Sequence, residues 1–114
     1  MDEQALLKTM YADFNARRIE AVLAHMSPNV EWANGMEGGH VHGVNAVREY
    51  WQRQFAMINP RVDPTSIDPL ADGLFEVRVH QTVHDIAGKL LLDTEVRHRY
   101  TFLDGLITRM DINP

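Results

Sequence analysis

The chain contains no cysteine. That excludes a disulfide framework, a thiolate nucleophile and a cysteine-based zinc site. Lysine is nearly missing too, with only Lys8 and Lys89, and the arginines are scattered. The formal net charge is −5. Binding to a phosphate backbone or an anionic membrane needs clustered cations, so neither nucleic acid nor membrane is expected as a partner. No apolar run approaches the length of a membrane span. The opening stretch, "MDEQALLKTMYADF", starts acidic and then alternates. It has neither a basic leader nor a continuous apolar core of the kind a signal peptide carries, which leaves a cytoplasmic protein as the expectation. Internal repeats, low-complexity tracts and linkers are absent. So are G-x-S-x-G, the P-loop, the dinucleotide fingerprint and H-E-x-x-H. No two carboxylates have the placement of a glycosidase pair. No cofactor is expected.

What is present is ordinary globular material. The 114 residues are 45% apolar and 24% charged, which fits one domain over residues 1–114. Leu6, Leu7, Met10, Tyr11 and Phe14 recur at helical spacing, and Asn15 is placed to close that helix. Ile19, Val22, Leu23 and Met26 form the face of a short second helix, which Ser27-Pro28 is expected to end. "VEWAN", 30–34, alternates as a short strand. "GMEGGHVHG", 35–43, is rich in glycine and reads as loop. A third helix runs from about Val44 to Ile58, with Val44, Val47, Trp51, Phe55 and Ile58 as its apolar stripe and Tyr50 and Gln54 beside it. Asn59-Pro60 is expected to stop it.

The second half reads as strands. Pro60, Pro64 and Pro69 confine any strand near 61–71 to an edge or a broken piece. Residues 74–85 alternate cleanly, with Phe75, Val77, Val79, Gln81 and Val83 on one face. Ala87-Gly88 marks a turn. In 89–103 the inward face is Leu90, Leu92, Thr94, Val96, His98, Tyr100 and Phe102. Asp104-Gly105 is a hairpin signal, and 106–112 is a last strand. Helices first and a strand meander afterwards give an α+β layout, with helices on one face of a mainly antiparallel sheet. The other sheet face is charged with both signs.

Three stretches, "YADFNARRIEAVLAHMSPNVEWAN", "GVNAVREYWQRQF" and "VRHRYTFLDGLITRMDI", in this order, resemble the nuclear-transport-factor-2-like superfamily, in its ketosteroid-isomerase-like and SnoaL-like branch. The resemblance covers nearly the whole chain. It implies a cone-shaped α+β barrel. Three N-terminal helices pack on the concave face of a curved, mainly antiparallel sheet, a pocket opens at one end, and a homodimer forms through the convex face. The steroid isomerase residues do not carry over. Alignment on "FNARR" puts Met10 where that family has an oxyanion-donating tyrosine, with Tyr11 one step away. Asn34 stands for the carboxylate base, His98 for the protonated acid, and Trp51 for the tyrosine that backs the donor.

His98 is the first candidate for chemistry. An imidazole on an apolar face can carry a proton or polarise a carbonyl, or it can be a structural hydrogen-bonding histidine. Asn34 is the second candidate catalytic group. An amide cannot act as a base but can orient a substrate or a water; the alternative is a residue that ends a strand. Trp32, Tyr50, Trp51, Met10, Tyr11, Phe14, Tyr100, Phe55 and Met110 are candidate ligand-binding residues, each also readable as core. His40 is a candidate rim contact. With His42 it forms an H-x-H pair, but the sequence names no third ligand and no metal is expected. The expected function is a pocket for a small apolar or carbonyl-containing molecule. The chemistry would be that of a cofactor-free isomerase, cyclase or hydratase using proton transfer beside a carbonyl. The alternatives are a non-catalytic binding module and a dimeric interaction domain.

Overall fold

The computed structural model describes residues 2–35 and 37–113; Met1, Met36 and Pro114 lie outside the described residues. Helix α1 spans Glu3–Asn15, α2 Ile19–Leu23 and α3 Val44–Met57. The strands are β1 Met26–Ala33, β2 His40–His42, β3 Ile58–Ala71, β4 Leu74–Asp85, β5 Leu90–Leu103 and β6 Leu106–Asn113. They form one curved sheet in the order β2-β1-β6-β5-β4-β3. All neighbours are antiparallel except β1 and β6. This is the expected α+β class.

Helix α1 starts where Asp2 accepts a hydrogen bond from the Gln4 amide at 3.0 Å. That satisfies one of the N–H groups a helix start leaves open. Its buried residues, Leu6, Leu7, Met10 and Tyr11, lie on one side and join Val47, Tyr50 and Trp51 of α3 over one sheet face. Leu7, Val30, Val47, Val77, Val79 and Ile107 are fully enclosed. On the outer face, oppositely charged groups pair across strands, Arg99 with Glu76 at 2.9 Å, His80 with Asp93 at 2.6 Å and Arg109 with Glu31, and along β6 Arg109 also pairs with Asp111.

Four local expectations need correction. Helix α2 ends at Leu23, and Met26 opens β1, so Ser27-Pro28 lies inside a strand rather than at a helix stop. Within the glycine-rich stretch, His40–His42 forms a strand against β1, pairing Trp32 with Val41. Asn59-Pro60 does not end α3 on a loop, because β3 begins directly at Ile58. Asn15 does not take the left-handed conformation; Arg17 does, at φ 64°. β3 holds its three prolines because it is the sheet's last strand, where missing N–H groups cost no ladder partner. Its pairing with β4 slips between Pro64 and Ser66 and again between Pro69 and Ala71.

Candidate functional site

Strand alternation decides which residues of β5 look toward the helices. His98 and Tyr100 are two apart, so they share a face. His98 stands opposite Val77 on β4 and Ile112 on β6, and Tyr100 opposite Phe75 and Met110. Helix α1 lies above and supplies Tyr11. The Tyr11 hydroxyl is 2.7 Å from Nδ1 of His98 and 2.8 Å from the Tyr100 hydroxyl. The Tyr11 ring is stacked on His98 at 5.9 Å and meets Tyr100 edge-on at 6.3 Å. Three polar groups thus form one chain inside an apolar wall.

A cavity of about 80 Å³ adjoins this chain. Tyr11, His98 and Tyr100 line it, with Met10, Phe14, Val22, Trp32, Ala33, Gly35, Tyr50, Trp51, Gln54, Pro60, Val62, Gln81, Met110 and Ile112. Trp32 and Trp51 meet edge-to-face at 5.4 Å, Trp32 meets Tyr100 at 5.9 Å, and Phe14 meets Trp51 at 5.3 Å. Gly35, Gln54, Gln81 and Ile112 are the lining residues that also keep solvent exposure beside Phe14, and they mark the mouth. An apolar cavity of roughly 150 Å³ holds benzene. The space here is smaller and opens at one side, so even a one-ring ligand must extend past the mouth. The lining holds no carboxylate among the described residues.

Electrostatics follow from burial. His98 is 7% exposed, and loss of solvation pushes its pKa down to about 4. The ring is neutral at physiological pH, with one nitrogen a donor and the other an acceptor. Burial also pushes the Tyr11 and Tyr100 hydroxyls up, disfavouring both phenolates. Nε2 of His98 has no partner among the described residues, and its ring borders the cavity.

Of the residues singled out in the sequence, His98, Trp32, Tyr50, Trp51, Met10, Tyr11, Phe14, Tyr100 and Met110 come together around this cavity. Three do not. Asn34 lies at the end of β1 and organises the turn after it: its side-chain oxygen accepts from the Glu37 amide at 2.9 Å, and its backbone bonds Gly38 and Gly39. Phe55 packs outside the lining on Phe14, under the Arg17 guanidinium at 4.3 Å. His40 bonds Asp111 at 2.8 Å on the charged outer face, and His42 faces Glu31. No group of three or more potential metal ligands exists among the described residues. Gln81 and Gln54 gave a usable signal, Gln81 as the polar member of an apolar strand face and Gln54 beside the stripe of α3. Val22, Ala33, Gly35, Pro60, Val62 and Ile112 gave none, because only the tertiary fold brings them to the wall. The helix tyrosine is also one position further on than the "FNARR" alignment implies, yet its hydroxyl reaches residue 98.

The sequence pattern of the SnoaL-like domain matches residues 7–110. Among curated proteins none matches the chain. Among solved structures, TerC co-crystallised with polyporic acid is 28% identical, with a TM-score of 0.81 over 96% of this chain and 87% of that one. An NTF2-like protein of unknown function from Burkholderia pseudomallei K96243 is 22% identical, with a TM-score of 0.84 over 99% and 91%. Rv0760c from Mycobacterium tuberculosis, in complex with estradiol-17beta-hemisuccinate, is 19% identical, with a TM-score of 0.78 over 93% and 89%.

Proposed function

The chain belongs to the SnoaL-like domain family, and from that premise we propose that it binds a small, mainly apolar, carbonyl-containing molecule and moves a proton beside the carbonyl without a cofactor. One observation carries this reading: a buried, neutral imidazole borders a mainly apolar cavity and keeps one nitrogen without a partner among the described residues. A neutral Nε2 is either an acceptor for a proton or a donor to a carbonyl oxygen, and burial strengthens both interactions by excluding water. Trp32, Tyr50, Trp51, Met10, Phe14 and Met110 give the ligand its apolar contacts. Asn34, Phe55 and His40 have no part in it. The organic ligands of TerC and Rv0760c support a small-molecule pocket in this fold.

The absence of a carboxylate from the described lining favours a second reading, a binding module without turnover. A panel of steroids, lactones and short enones tested by thermal shift separates the cases. A ligand of the native state raises the melting temperature. His98→Gln keeps hydrogen bonding and removes the titratable ring. On the enzymatic reading it abolishes turnover and spares affinity. A panel that gives no shift defeats both readings. Pairing of two copies through the convex sheet face belongs to the same proposal, and sedimentation at increasing concentration tests it.

A further inference from the structure

The Tyr100–Tyr11–His98 chain has a proton inventory that its geometry fixes. Two hydrogen bonds join Nδ1, the Tyr11 oxygen and the Tyr100 oxygen. With the two outer ends they make four places for protons. A neutral histidine and two tyrosines supply three. If Nε2 carries hydrogen, Tyr11 donates to Nδ1, Tyr100 donates to Tyr11, and Tyr100 offers only a lone pair outward. If Nε2 is bare, Nδ1 donates to Tyr11, Tyr11 donates to Tyr100, and the Tyr100 hydrogen points outward. One end is a donor whenever the other is an acceptor.

We propose that this chain is a proton relay whose two ends, Nε2 of His98 and the Tyr100 hydroxyl, act together on an enolisable ketone held in the cavity. The proposal rests on the proton-transfer reading above and deepens it. Nε2 takes the proton from the carbon beside the carbonyl. The Nδ1 proton passes to Tyr11, the Tyr11 proton to Tyr100, and the Tyr100 proton to the carbonyl oxygen. A C–H bond breaks and its electron pair becomes the new carbon–carbon π bond. The carbonyl π pair forms the O–H bond, and the product is the enol. Every group ends neutral. That matters because burial disfavours imidazolium at 98 and phenolate at 11 and 100 alike, so stepwise transfer through a lone charge is costly here. His98 and Tyr100 touch substrate; Tyr11 is a positioning residue that couples them.

The full chain is tested with 2-tetralone in D2O, following loss of the protons beside the carbonyl by NMR. Tyr11→Phe keeps the ring and cuts the relay. It and Tyr100→Phe should each slow exchange about 100-fold, as far as His98→Gln does, and the Tyr11→Phe, His98→Gln pair no further. Exchange that needs His98 but survives Tyr11→Phe overturns the relay and leaves simple proton transfer standing. Exchange that ignores His98→Gln, or is absent from wild type, overturns both. A second measurement needs no ligand: the nitrogen shifts of His98 report its tautomer. Tyr100→Phe removes the acceptor for Tyr11 and should lock hydrogen on Nε2. A tautomer identical in wild type and Tyr100→Phe also overturns the relay.

Discussion

His98 makes the residue scale testable without knowing a ligand. In the fold its pKa is pushed down to about 4 by burial; in an unfolded chain a histidine titrates near ~6.5. The unfolded state therefore binds the extra proton first. The stability that His98 contributes is complete above about pH 6.5 and falls as pH drops toward about 4. Between pH 7 and pH 5 the loss should be about 2 kcal/mol. Urea unfolding at both pH values checks it: His98→Gln should show a flatter pH dependence than wild type. His80 works the other way, because Asp93 raises its pKa. Its contribution is complete below about 6.5 and fades only as pH rises past its folded value, so it does not mimic the acid loss. The position of His98 was legible because an imidazole stood in an alternating apolar row. The role of Tyr11 was not, since its partners are 87 and 89 residues away and no local pattern encodes that meeting.

At the scale of elements, two local devices fix β3, one of them at the cavity wall. The Asn15 amide donates to the Val62 carbonyl at 2.7 Å and accepts from the Val62 amide at 2.9 Å. It completes the outer edge of β3 as a neighbouring strand would, and Val62 lines the cavity. Asn15→Asp should cost about 1–3 kcal/mol in chemical denaturation, because the carboxylate cannot donate and faces a carbonyl. The second device is the β3–β4 turn. Gly73 has φ 72°, and a Cβ there would sit 2.6 Å from the Phe102 carbonyl oxygen. Gly88 and Gly105 also have positive φ but open space around them. Gly73→Ala should therefore destabilise by clearly more than the roughly 1–2 kcal/mol of left-handed strain expected for Gly88→Ala or Gly105→Ala. Equal losses in the three variants would remove the close approach from the explanation. Sequence alternation had already marked β4 and β5, and the Asp104-Gly105 turn had marked β6, whose buried Ile107 and Met110 stand three apart because the pairing with β5 slips between them. Alternation missed β2, where three residues among glycines are strand only because β1 supplies the partner. It undervalued β3, whose prolines are tolerated at an edge that tertiary structure alone defines.

At the scale of the whole molecule, apolar side chains cluster in two places within reach of solvent, apart from Met57, Leu70 and Leu103, which are exposed elsewhere. One is the cavity. The other is the far end of the β4–β5 hairpin, where Ile86, Leu90, Leu91 and Leu92 are exposed, Ile86 by 67%. Leu90 and Leu92 were expected on the inward face; the strands run past the helices, so alternation continues where nothing remains to cover it. A hydrophobic probe could stabilise the protein from either place, and a melting curve alone does not tell them apart. The tryptophans do. The chain has two, Trp32 and Trp51, both buried and both in the cavity wall. None of the exposed hairpin residues lines that wall. A compound in the cavity should change tryptophan emission in the same concentration range that raises the melting temperature, and Trp32→Phe and Trp51→Phe should each keep part of the change. A compound on the hairpin should raise the melting temperature with emission unmoved, and Leu91→Glu should abolish its effect. Stabilisation that tracks Leu91 rather than the tryptophans would shift the ligand site to the hairpin and leave the His98 chain a structural network.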